Sequence, residues 1–151
     1  MAHLAQVNVA RLRFPLDAPA ASEFVAALDR INRLADESPG FVWRHRAEHG
    51  HVSYADDPRL LLNLSVWESY PHLHAYVYRS AHGHYVRRRY EWFEPIRTPA
   101  TALWWVPAGH EPTPDEALAR LRYLRTYGPT ARAFTVRSRF DPSGRPERRR
   151  W

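Results

Sequence analysis

Leu60-Leu61-Leu62-Asn63-Leu64-Ser65-Val66-Trp67 decides how this chain is read. A run this apolar, set between Asp56-Asp57-Pro58 and Glu68-Ser69, has the length and composition of a buried strand. Alternation then places Asn63 and Ser65 on the same face as Trp67. An amide and a hydroxyl on an inward face cost free energy unless something hydrogen-bonds to them. That face is therefore expected to line a pocket. From Pro71 to Pro95 the chain continues with Tyr76, His82, His84, Arg87, Arg88, Arg89, Trp92 and Phe93. This mixture of ring surface and hydrogen-bonding groups suits a flat ligand with polar edges.

Working outward, Leu4 to Leu12 alternates like a strand, with Leu4, Gln6, Asn8 and Ala10 on one face and Ala5, Val7 and Val9 on the other. Phe24, Ala27, Leu28, Ile31, Leu34 and Ala35 recur at helical spacing, which predicts an amphipathic helix over 20–36 that stops at Ser38-Pro39-Gly40. A short strand is expected over 41–46, turn chemistry over 49–58, and the decisive strand over 60–67. Pro71 can open a helix that runs toward Phe93 and breaks near Ser80 or Gly83. Leu103 to Val106 reads as a strand. Thr113-Pro114-Asp115-Glu116 reads as a capped helix start, with the acid reaching back to the cap, and Gly128-Pro129 ends that helix. Ala133 to Val136 offers a last strand. The order strand, helix, strand, strand, helix, strand is the ferredoxin-like α+β plan, here with an added C-terminal helix. Residues 1–140 form one domain in this reading and 141–151 a polar, mobile, arginine-rich tail. The two helices of such a plan cover one sheet face, and a second copy of the chain is the simplest cover for the other, which predicts a homodimer.

Composition narrows the classes. The chain has 151 residues and no cysteine, so disulfides, thiolate metal sites and cysteine nucleophiles are excluded. The net charge of +6 comes with 22 basic residues, every one an arginine, several crowded at Arg145, Arg148, Arg149 and Arg150. Phosphate binders normally mix lysine with arginine and carry a recognition motif, so no nucleic-acid partner is expected. No stretch approaches the ~20 apolar residues of a membrane helix, and the first residues lack the plan of a signal peptide; the expectation is a cytoplasmic protein with no membrane partner.

His3-Leu4-Ala5-Gln6-Val7-Asn8, Ser38-Pro39-Gly40-Phe41-Val42-Trp43-Arg44, Ser65-Val66-Trp67-Glu68-Ser69, Arg89-Tyr90-Glu91-Trp92-Phe93 and Leu103-Trp104-Trp105-Val106-Pro107-Ala108-Gly109-His110 together resemble the domain-of-unknown-function 3291 family, a branch of the dimeric α/β-barrel superfamily. The resemblance implies the ferredoxin-like barrel fold and conveys no activity by itself. Within that superfamily, the quinone-forming antibiotic biosynthesis monooxygenases work without metal or flavin. They set an Asn and a Trp four residues apart on a pocket strand, a pair that Asn63 and Trp67 resemble, and they use a Tyr for which Tyr70, Tyr76 and Tyr78 compete. The haem-degrading branch is similar in placing an Asn on the first strand, an aromatic on the helix and a His after an Ala. Asn8, Tyr76 and Ala81-His82 match these, with Tyr76 where that branch has Trp and a helix about one turn shorter.

These resemblances imply catalytic roles for Asn63, Trp67, Tyr76 and His82, and ligand contacts from Gln6, Asn8, Ser65, Arg88 and Trp105. The expected activity is that of a cofactor-independent monooxygenase acting on a flat aromatic or polyketide-like metabolite of secondary metabolism. Alternatives are a haem protein with His82 as ligand, a non-oxidative cyclase, isomerase or dehydratase, and a ligand-binding dimer without turnover. Each residue also has a plainer role. Trp67 would serve a core equally well, the arginine run reads as a solvated helix face, and the pairs His72/His74 and His82/His84 are spaced so that neither can converge on one metal from a helix. No cofactor and no metal are expected, apart from haem iron at His82 in that alternative.

Overall fold

The computed structural model describes residues 1–46, 52–54, 57–79 and 89–148. Its strands are β1 (Ala2–Leu12), β2 (Phe41–Arg44), β3 (Val52–Tyr54), β4 (Asp57–Trp67), β5 (Phe93–Glu94) and β6 (Thr101–Pro107), and its helices are α1 (Ser22–Glu37), α2 (Tyr70–Arg79), α3 (Arg89–Trp92) and α4 (Pro114–Tyr127). All pairings are antiparallel. The sheet runs β2–β4–β1–β5, with β3 also on β4 and β6 also on β1. The ferredoxin-like α+β plan expected from the sequence is the observed one.

β1 and β4 form the centre because both alternate cleanly. Ala5, Val7 and Val9 share one face with Leu62, Leu64, Val66, Ala102, Trp104 and Val106, all buried. Leu4, Leu12, Leu61, Trp67 and Leu103 point the other way, into cores completed by Phe24, Ala27 and Ala35 of α1, Leu73 of α2, and Trp92 of α3. A 3-10 turn over Pro19–Ala21 precedes α1, so the helix starts two residues later than its apolar spacing predicts. At its end the Ser38 hydroxyl donates to the Leu34 carbonyl oxygen at 2.6 Å. Gly40 has φ +79°, and a Cβ there would strike the ring of His72, so this turn admits glycine alone while it packs α2 against the sheet.

Four details depart from the sequence reading. The 49–58 region contains β3, and β4 begins at Asp57, because a hairpin partner extends the strand upstream of its apolar run. The expected strand over 133–136 is reduced to two isolated bridges, Ala133 with Thr130 and Phe134 with Leu103, the latter pair exchanging N–H···O bonds of 2.9 Å. At the start of α4 the Thr113 hydroxyl caps the Glu116 N–H as expected (3.1 Å), but the Glu116 carboxylate does not reach back. It accepts from Trp104 Nε1 at 3.3 Å and sits 2.8 Å from His110 Nε2. Beyond Phe140, residues 141–148 carry specific bonds: Asp141 Oδ1 accepts from the backbone N–H groups of Ser143 and Arg145, and Arg139 Nε donates to Glu147 at 2.9 Å. The predicted helix break at Ser80 or Gly83 lies outside the described residues.

The helix α4 changes the argument about the second sheet face. Its Ala117, Leu121 and Leu124 pack directly on the Ala5/Val7/Leu64/Val66/Trp104 face. That face was expected to need a second copy; here the chain covers it with its own helix. No helix among the described residues is long and apolar enough to cross a membrane.

Leu121 is 2 % exposed and makes the centre of this contact. Leu121→Ala is expected to cost about 2–5 kcal/mol, seen as a fall in Tm on the order of 10 °C. An unchanged Tm would show that α4 does not hold this face.

Candidate functional site

Rungs of the central ladder build one wall of a cavity of about 620 Å³ between the sheet and α1 and α2. Leu103, Gln6 and Ser65 are register partners, as are Thr101, Asn8 and Asn63. Further down, Ala10 faces Leu61. All of these line the cavity, opposite Leu28, Ile31 and Asn32 of α1 and Tyr70, Leu73, His74 and Tyr76 of α2, and Phe93 and Glu94 close one end. Asn8 and Asn63 lie mid-strand in the two central strands and are nonetheless exposed. Such positions are normally sealed, so their exposure measures how open the cavity is.

The wall's polar groups hold one another in place. Ser65 Oγ accepts from Trp67 Nε1 at 3.0 Å and from Gln6 Nε2 at 3.0 Å. Gln6 Nε2 also reaches Asn63 Oδ1 at 3.1 Å, and Thr101 Oγ1 donates to Asn8 Oδ1 at 3.2 Å. With both Oδ1 atoms engaged, the Nδ2 amide donors of Asn8 and Asn63 are the groups left to meet a ligand. Such a donor pair matches a carbonyl, phenolate or enolate oxygen.

Residues 3–150 match the family described as Domain of unknown function (DUF3291). The chain belongs to this family. No curated protein matches it. Among solved structures, SnoaB from Streptomyces nogalater, a cofactor-independent oxygenase, aligns at 16% identity over 76% of this chain and 99% of its own, with a TM-score of 0.50. A conserved protein from Methanosarcina mazei Go1 aligns at 14% identity over 70% of this chain and 92% of its own, also with a TM-score of 0.50. At these identities the likeness concerns the fold alone.

In this DUF3291 chain, Gln6, Asn8, Asn63, Ser65 and Tyr76 meet at the cavity. Trp67 and Trp105 do not line it. Trp67 is fully buried, stacked on Tyr76 with ring centroids 5.0 Å apart and edge-on to Phe41 at 5.6 Å. Its part is to hold Ser65 and Tyr76 from behind. Trp105 shares the cavity face of the sheet, but its indole N–H donates to the Phe140 carbonyl oxygen at 2.7 Å, under the C-terminal segment. His82 and Arg88 lie outside the described residues. Among the described residues no group of three or more His, Asp or Glu could hold a metal.

In the sequence reading Tyr70 only competes with Tyr76 and Tyr78, His74 enters only as an unsuitable metal partner of His72, and Glu94 is not among the site residues; all three line the cavity. Glu94 sits between Arg59 (3.2 Å) and Arg11 (3.8 Å). Tyr70, His74 and Tyr78 form a ring ladder along α2, with centroids 5.8 and 4.7 Å apart. Their spacing of four was visible once Pro71 had been placed at a helix start. A second, shallower hollow of about 340 Å³ beside Arg137, Arg139 and Arg148 is open to solvent, and its Arg139 is already engaged with Glu147 and, at 3.8 Å, with the Tyr70 ring.

The Tyr76 hydroxyl donates to the Ile31 carbonyl oxygen at 3.1 Å. Burial pushes its pKa well above the usual phenol value, because charge is costly in this apolar setting. The unfolded chain therefore ionises Tyr76 at lower pH than the folded one. The stability this residue contributes is whole below pH ~10 and is lost as pH rises beyond it. Tyr76→Phe is expected to flatten the fall in denaturation free energy above pH ~10, measured against wild type; parallel curves would place the hydroxyl in water. Ser65→Ala removes the acceptor of the buried Trp67 N–H and is expected to cost about 1–3 kcal/mol in denaturant titration.

Proposed function

We propose that this protein is a small-molecule enzyme whose cavity binds a flat phenolic or polyketide-like metabolite and promotes its oxidation by molecular oxygen without a cofactor. The observation that carries this reading is the donor pair. Two amides at the centre of the sheet, each fixed through its oxygen, line an otherwise largely apolar cavity with their N–H donors uncommitted to the oxygen-side bonds. Donors fixed before the ligand arrives favour the anionic form of a phenol or enol over its neutral form. An electron-rich carbanion or enolate held in this way can react with oxygen directly. One oxygen atom becomes a new carbonyl, and the other leaves as water with the two hydrogens of the oxidised carbon.

Ser65 and Gln6 act as positioning residues, since Gln6 holds Asn63 and Ser65 holds Gln6. Tyr76 serves as wall and not as proton carrier, because its hydroxyl is committed to the Ile31 carbonyl. The same donor pair would serve a non-oxidative cyclase or isomerase, which also passes through an enolate. Oxygen consumption separates the two.

Tricyclic phenols and anthrones offered to the purified chain are expected to consume oxygen in proportion to product. Asn63→Ala should lower kcat/KM about 100-fold, the usual consequence of deleting one oxyanion donor, and Asn8→Ala should act similarly. Product formation without oxygen uptake would move the protein to the isomerase or cyclase class, and full activity in the double variant would remove the donor pair from the mechanism.

A further inference from the structure

The reading above requires a proton acceptor, and we propose that His74 is that group. The inference rests on the cavity being the ligand site. Among the described cavity-lining residues, His74 and Glu94 are the side chains whose ordinary pKa values allow them to take a proton near neutral pH. Glu94 is engaged by Arg11 at 3.8 Å and Arg59 at 3.2 Å, so its carboxylate is already partnered. His74 is placed differently. Its ring packs between those of Tyr70 and Tyr78 of its own helix, tilted to them by 56° and 42°, yet among the described residues neither ring nitrogen has a hydrogen-bond or ion-pair partner.

This arrangement confines the ring between two neighbours at the cavity wall and leaves both nitrogens for a ligand. Two other histidines each spend a ring nitrogen on a neighbour, His72 on Ser69 at 2.7 Å and His110 on Glu116 at 2.8 Å. Among the described residues, the charged and titratable groups around His74 are Tyr70 and Tyr78 on α2, Arg139 and Glu147 behind Tyr70, and Glu94 with its two arginines at the end of the cavity. In the step assigned to His74, the ligand O–H bond breaks and the proton moves to an imidazole nitrogen. The electron pair stays on the ligand oxygen, where the Asn8 and Asn63 amides stabilise it. The product is an imidazolium beside an enolate or phenolate, an ion pair in a half-enclosed space. No oxidant enters this step, so it holds for an oxygenase and for an isomerase alike.

The test uses alizarin, a planar phenol whose absorbance changes when it loses its proton, titrated with pH in the presence of the full-length chain. Bound to wild type, the dye is expected to ionise at a pH lower by about one unit or more than when bound to His74→Gln. His74→Asn provides a second variant of different size, and thermal melting of both checks that the fold is retained. Histidine resonances of wild type give a reading free of any substitution: one ring should titrate at higher pH with dye bound than without. Dye bound by all three proteins with the same ionisation overturns His74 as acceptor and leaves the cavity reading intact. Absence of dye binding by wild type overturns the cavity reading and this inference with it.

Discussion

Everything at the site depends on the register of β1. It pairs along its length with β4 on one side and with β6 and then β5 on the other, so its side chains have no freedom to choose a face. Gln6 and Asn8 alternate with Ala5, Val7 and Val9, and a slip of one residue would bury two amides in the apolar face and open three apolar side chains to the cavity. The same register aligns Gln6 with Ser65 and Asn8 with Asn63. A hydrogen-bonded row of polar groups can therefore cross two strands at the base of an apolar cavity with its geometry fixed by the backbone.

The second constraint comes from the layer behind that row. Trp67 contributes no atom to the cavity wall, yet it supplies the N–H that Ser65 accepts and the ring on which Tyr76 stacks. Its packing makes the wall rigid. A serine that accepts from both a buried indole and a glutamine has little freedom left, and the glutamine passes that order to Asn63. Preorganisation of this kind is what a site for an anionic oxygen requires.

Much of this was legible in the sequence. Alternation in Leu4–Leu12 and Leu60–Trp67 gave both central strands and placed Asn8, Asn63 and Ser65 on a common face, because period-2 patterns translate directly into sheet faces. The limits have equally physical causes. β3 has only three residues, Val52–Tyr54, and exists because β4 offers it an edge, which no local pattern announces. The two tryptophan roles could not be separated by sequence, since Trp67 and Trp105 both fall on the cavity face and only the packing of Tyr76 and Phe140 takes them out of the cavity lining. Thr113 and Glu116 fit the pattern of a reciprocal cap, but the sequence does not show that Trp104 and His110 compete for the same carboxylate. His74 was read against His72 as a metal pair, a comparison that concealed its spacing of four from Tyr70 and Tyr78.

The placement of α4 bears on how the molecule comes into being. A sheet face covered by a helix of the same chain carries its cover at a high effective concentration whatever the dilution, so this one contact does not depend on protein concentration as a contact between two chains does. The cover also follows the face in the sequence. Val7, Leu64, Val66 and Trp104 emerge well before Ala117, Leu121 and Leu124, and until Pro114–Tyr127 clears the ribosome this apolar face lacks its helix. Self-association during translation is thus the hazard built into this design, and the speed with which that helix arrives sets how long it lasts.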